Sequence, residues 1–127
     1  MRLPVTLLYG GLSALLLTLL GVSVSLPRLT RKLYVGADLP KWLHMRVRAH
    51  GNAAEWIPVG IVLLLILELS GTNPTLLHVF GGVFLLARVI HALGFLGVRR
   101  ISVIGATINY CVLSAMSGYA VVEHFLR

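Results

Sequence analysis

Arg48, Asn52 and Glu55 stand at i, i+4 and i+7 in the first half of a long helical stretch. At 3.6 residues per turn this spacing puts all three on one narrow helix face. His44 extends the stripe by one turn, while Arg46 points to roughly the opposite side. Farther on, Arg88, His91 and Phe95 share a face at i, i+3 and i+7. A guanidinium is a planar fork that suits carboxylates, an amide both donates and accepts, and a carboxylate takes an ammonium. The set therefore fits a ligand with several carboxylates, one amine and a peptide-like amide. A structural reading also stands beside it: Arg48 or Arg88 could pair with Glu55 only to hold helices together. The charge balance favours a ligand, because Arg28, Arg48, Arg88 and Arg100 can approach one end of a bundle with Glu55 as the main acid.

These residues sit in a chain that a soluble fold cannot accommodate. Of its 127 residues, 57% are hydrophobic and 12% charged, and the mean hydropathy is +0.91. Soluble proteins carry about 25% charged residues. A membrane-spanning helix takes about 20 apolar residues, so the length predicts an all-α membrane protein, a bundle of about four transmembrane helices in a single domain over residues 1–127. In such a chain, ionisable groups within the spans are functional candidates. The net charge of +7 would suggest nucleic acid in a soluble protein. Here the cations gather at helix ends and connections, and no nucleic-acid motif is present. The single cysteine, Cys111, has no metal-ligand spacing and reads as a small apolar residue. No metal is expected.

Hydropathy and breakers place the elements. The first run, Leu3 to Leu26, is too long for the core of a signal peptide and reads as helix 1. Pro27 to Lys41 is the first connection, with Gly36 and Pro40 as breakers. Helix 2 begins near Leu39 to Trp42 and runs to about Leu69, with a kink expected at Pro58. Ser70 to Pro74 is a tight turn, and Pro74 suits the first position of a helix. Helix 3 spans about Thr75 to Leu96, Gly97 to Arg100 is the third connection, and helix 4 covers about Ile101 to Phe125. Connections 1 and 3 hold Arg28, Arg31, Lys32, Lys41, Arg99 and Arg100, whereas the second connection has no cation and the opposite side has only Arg2 and Arg127. Connections 1 and 3 are therefore expected to face the cytoplasm.

The stretch from Arg48 to Pro58, with its pattern R-x-x-x-N-x-x-E-x-x-P, resembles the helix 2 signature of the MAPEG family, the membrane-associated proteins in eicosanoid and glutathione metabolism. The stretch Ala87 to Phe95 resembles the family's second signature, and the turn Ser70 to Pro74 matches in position. The small size and short loops look most like the family's bacterial members, and so imply a bacterial inner-membrane location. The resemblance also implies a homotrimer with glutathione bound between subunits near the cytoplasmic face. Carried over by motif, Arg48, His50, Asn52 and Glu55 of helix 2, Arg88 and His91 of helix 3, and Arg28 at the end of helix 1 would form the glutathione set. The family's catalytic arginine lies at the start of helix 4, often directly before serine. Here the chain reads Arg99-Arg100-Ile101-Ser102, so Arg100 is the first candidate and Arg99 the second. A tyrosine common at the end of the helix 3 motif is Phe95, which removes one hydroxyl; Tyr110 lies far into helix 4.

The implied activity is that of a glutathione transferase, in which Arg100 stabilises the thiolate and a lipophilic electrophile arrives from the bilayer, with peroxide reduction as a related activity. A non-catalytic scaffold binding glutathione or lipid is the alternative. A small multidrug exporter is a distant third, because that mechanism wants a membrane-embedded acid and helix 1 has none.

Overall fold

The computed structural model describes residues 3–33, 38–97 and 99–126, with Arg99 described in its backbone alone. Four helices account for nearly all of them: α1 (Pro4–Arg31), α2 (Lys41–Leu69), α3 (Pro74–Leu96) and α4 (Arg99–Leu126). Each is long and apolar enough to cross a membrane.

The first correction concerns α1, which runs five residues beyond the expected end at Leu26. Pro27 lies inside it. Proline has no N–H, so the carbonyl four residues earlier loses its helical donor. That carbonyl belongs to Ser23, and the Arg46 Nη1 donates to it at 3.2 Å. A side chain from α2 thus replaces the missing backbone bond, which the apolar membrane demands. The helix then ends on Lys32 in the left-handed conformation, where the Arg28 carbonyl accepts the Lys32 and Leu33 N–H groups. The second correction is that Arg99 and Arg100 belong to the first turn of α4, and not to the connection. At the other turn, the Asn73 side chain accepts from the Thr75 N–H and Pro74 opens α3, as its sequence predicts.

Side-chain contacts fix an up-and-down order. Glu68, near the end of α2, accepts from the Val5 and Thr6 N–H groups at 2.9 and 2.7 Å. It acts as a remote cap on the start of α1, where a carboxylate meets free N–H groups and the positive end of the helix dipole. The Tyr9 hydroxyl donates to the His78 carbonyl at 3.0 Å, which sets the start of α1 beside the start of α3. Phe80 of α3 meets Tyr119 of α4 edge-on, while His91 reaches Ser102 at the opposite end of the same pair. Glu68→Ala should therefore lower stability by about 1–2 kcal/mol. A detergent unfolding curve that matches the parent's would remove the capping role.

The core is a ladder of small and large residues. Phe84 lies over Gly60 so closely that a Cβ there would overlap its ring, and Tyr9 covers Gly81 in the same way. The tightest seam is between α3 and α4. A Cβ on Gly94 would overlap the Ser102 backbone, and one on Gly105 would overlap the backbone of His91. Small residues allow such approach where lipid offers no hydrophobic drive between helices.

Candidate functional site

The stripe on α2 lies one residue ahead of the helix's buried face, which is Ala49, Ala53, Ile57 and Gly60. That offset decides its geometry. Arg48 and Glu55 are exposed on the outside of the subunit, His44 is exposed as well, and only Asn52 turns partly inward. There its Oδ1 accepts from the Arg88 Nη1 at 3.1 Å. Arg88 is 2% exposed, and its Nε is buried without a partner among the described residues. The buried arginine thus meets a neutral amide, and Glu55 takes no part in the contact. A carboxylate near the middle of α2, on the outer surface of the bundle, is costly against lipid.

His91 is 8% exposed and belongs to the α3–α4 seam. Its Nδ1 lies 2.7 Å from the Ser102 carbonyl and 3.1 Å from the Ser102 hydroxyl. A carbonyl can only accept, so Nδ1 carries the proton, and in the neutral form of the ring Nε2 is the acceptor. Nε2 is buried with no partner among the described residues. Phe95 packs edge-on against the His91 ring, with centroids 4.9 Å apart. Together with the glycine contacts, this bond fixes the first turn of α4. Arg100 stands exposed in that turn; the Arg99 side chain lies outside the described residues. Arg28 is half-buried in the last turn of α1 with its Nε enclosed and without a partner among the described residues. His50 faces α1, packed on Gly21, with Nδ1 buried and without a partner among the described residues. It is therefore not part of the Asn52–Arg88 contact.

The fold brings two further residues to this region: Tyr110, whose place far into helix 4 counts against it in the sequence, and Asn109, which no sequence motif includes. Tyr110 reaches across from α4 and meets Trp56, one turn beyond Asn52, edge-on at 5.2 Å. Asn109 is 2% exposed, and its Oδ1 is buried without a partner among the described residues. A lone amide in a mostly apolar helix was the available signal, since it falls on the Ser102–Gly105–Asn109 face at helical spacing.

The antiparallel order gathers the cations. The end of α1, the start of α2, the second half of α3 and the start of α4 share one end, and every lysine and arginine except Arg2 and Arg127 belongs to it. Arg2 and Arg127 lie outside the described residues. Glu68 and Glu123 sit at the opposite end. Lys41, Arg99 and Arg100 occupy helix N-termini, where cations are disfavoured by the dipole. They do not serve helix stability there. They add to a positive potential that attracts anions.

Residues 6–122 match the MAPEG family. The chain belongs to that family. It is also 38% identical over 91 residues, 72% of this chain and 70% of the other, to the inner membrane protein YecN of Escherichia coli strain K12. The same identity and coverage hold for YecN of E. coli O6:H1. Like that relative, this MAPEG protein is a multi-pass bacterial inner-membrane protein, with four helices fit to span the bilayer. Glutathione transferases occur in the family. Of the residues that resemble its signatures, Asn52 and Arg88 meet across α2 and α3, while Arg48 and Glu55 stand exposed on α2.

Proposed function

We propose that this protein is a membrane-bound glutathione transferase whose site forms at the cationic end, between subunits of a homotrimer with connections 1 and 3 in the cytoplasm. The observation that carries the reading is the half-buried Arg88–Asn52 contact flanked by exposed Arg48 and Glu55. The subunit supplies guanidinium donors and one carboxylate, and glutathione has two carboxylates and one ammonium. The exposed pair would face the neighbouring subunit and take the charged ends of the tripeptide. Arg28 and Arg88 each keep an enclosed Nε without an acceptor, and an unsatisfied buried donor costs about 1–3 kcal/mol. The His91 Nε2 offers an acceptor for an amide N–H. His50, which packs against Gly21 of α1, supports the site by positioning α2.

Arg100 then faces the thiol. A free thiol with a pKa of about 8.5 is only a few per cent ionised at pH 7. The thiolate sulfur attacks the electrophilic carbon, a C–S bond forms, and the leaving group departs with its bonding electrons. Peroxides borne by lipids are a related substrate class. The lipophilic partner enters from the bilayer and is held beside the sulfur, which supplies the rest of the acceleration. Phe95 favours a second reading, a non-catalytic binder of glutathione or lipid. It packs on His91 with no hydroxyl where the family motif often carries tyrosine. Family membership leaves the exporter reading without support, and the described part of α1 has no acid.

The test is glutathione binding and conjugation of a chlorinated aromatic by purified protein, beside Glu55→Ala. The variant should bind glutathione at least about tenfold more weakly, the loss of one charge-assisted contact of about 1.5–3 kcal/mol. Unchanged binding would remove Glu55 from the site. Binding without turnover across varied electrophiles would select the second reading.

A further inference from the structure

A second cationic feature lies outside the proposed glutathione set. Leu26, Pro27, Thr30 and Arg31 of α1 and Trp42 and Arg46 of α2 line an open hollow of about 490 Å³. The guanidinium carbons of Arg31 and Arg46 lie over the Trp42 ring, 5.0 and 5.3 Å from its centroid. One indole therefore holds two cations at one spot, and none of the described lining residues is acidic. Arg46 is anchored by its bond to the Ser23 carbonyl, so its charge is fixed in place and not free to swing into water.

The site has the layout of an amphiphile. Below it, Leu15, Leu19, Val22 and Leu26 run down the outer face of α1 at helical spacing, all exposed. Leu26 is shared by the apolar stripe and the hollow. Trp42 stands at the start of a spanning helix, the level where tryptophan favours the boundary between headgroups and hydrocarbon. Arginine forks match phosphate oxygens, and the leaflet that meets a cation-rich helix end is the one that attracts anionic lipid.

We propose that this hollow is a binding site for the phosphodiester headgroup of an anionic phospholipid, with an acyl chain laid along the exposed leucine stripe of α1. A soluble phosphate would engage the same two guanidinia but would leave the apolar stripe unused, and this decides for the lipid. The lipid would seal the crevice between the end of α1 and the start of α2 and hold together the helix ends that the Arg46–Ser23 bond joins.

Native mass spectrometry of the purified full-length protein tests this, with equimolar phosphatidylglycerol and phosphatidylcholine of matched acyl chains. The parent should retain phosphatidylglycerol in about tenfold preference, the equivalent of 1.4 kcal/mol. Arg31→Gln, at an exposed last-turn position, should bring that preference close to parity. Arg46→Lys keeps a donor for Ser23 and a charge but loses the fork, and should fall between the two. No headgroup preference in the parent, or an undiminished one in Arg31→Gln, overturns the proposal. Displacement of the lipid by excess inorganic phosphate assigns the site to a free anion and overturns it as well. Displacement by glutathione would merge the hollow with the glutathione site and overturn its independence. A protein that ignores glutathione yet keeps the lipid preference would sink the transferase reading and leave this one standing.

Discussion

Arg100→Ala is expected to lower conjugation at pH 7 by up to about thirtyfold, while the difference from the parent shrinks towards pH 9. The sign follows from the thiol. An adjacent guanidinium favours the charged form of glutathione and lowers its pKa. If that lowering runs from about 8.5 to about 6, the thiolate fraction at pH 7 rises from a few per cent to nearly all, worth about 2 kcal/mol. Part of this is offset because a less basic thiolate is a weaker nucleophile. Without the guanidinium the rate should climb with pH until the free thiol ionises by itself. A pH–rate profile checks this, with Arg99→Ala run in parallel. An equal loss at every pH would mean that Arg100 positions the substrate and does not set the ionisation. A larger, pH-dependent loss in Arg99→Ala would transfer the role to the neighbouring residue. Both arginines sit in the first turn of α4, so the chemistry depends on how rigidly that turn is held.

Gly94→Ala and Gly105→Ala should each destabilise the protein by about 3 kcal/mol, at the upper end of overpacking effects. In both positions the added methyl meets backbone, Ser102 in the first case and His91 in the second. Backbone cannot rotate away as a side-chain tip can, so the helices must separate. Separation also breaks the hydrogen bond between His91 and the Ser102 carbonyl and frees the turn that carries Arg100. Gly118 in the same helix is the control, because open space surrounds it. Gly118→Ala should be neutral or gain up to about 1 kcal/mol from helix propensity. Thermal unfolding in detergent distinguishes the three variants. If Gly94→Ala and Gly105→Ala melt with Gly118→Ala, the tight α3–α4 seam has no energetic weight.

The four spans were legible in the sequence because hydropathy over about 20 residues is a local property, read without knowing any neighbour. The family signatures were legible for a related reason. Arg48, Asn52 and Glu55 share a face through helix geometry alone. The end of α1 was not legible, since Pro27 normally stops a helix and its cost is met by Arg46, nineteen positions later in the chain. Partner choice was hidden in the same way. Sequence made Glu55 a natural mate for Arg88, but the buried face of α2 turns Asn52 inward and leaves Glu55 outside. His91 looked like a companion of Arg88 on one stripe; in the fold its Nδ1 is committed to Ser102, because Gly94 and Gly105 let α4 come close enough to be reached. The sequence by itself thus determined that this is a four-helix membrane protein with costly charges in its spans. Which of those charges are satisfied within the bundle, and which are left facing outward, was decided only by tertiary structure, because a side chain's partner depends on the rotation and separation of whole helices.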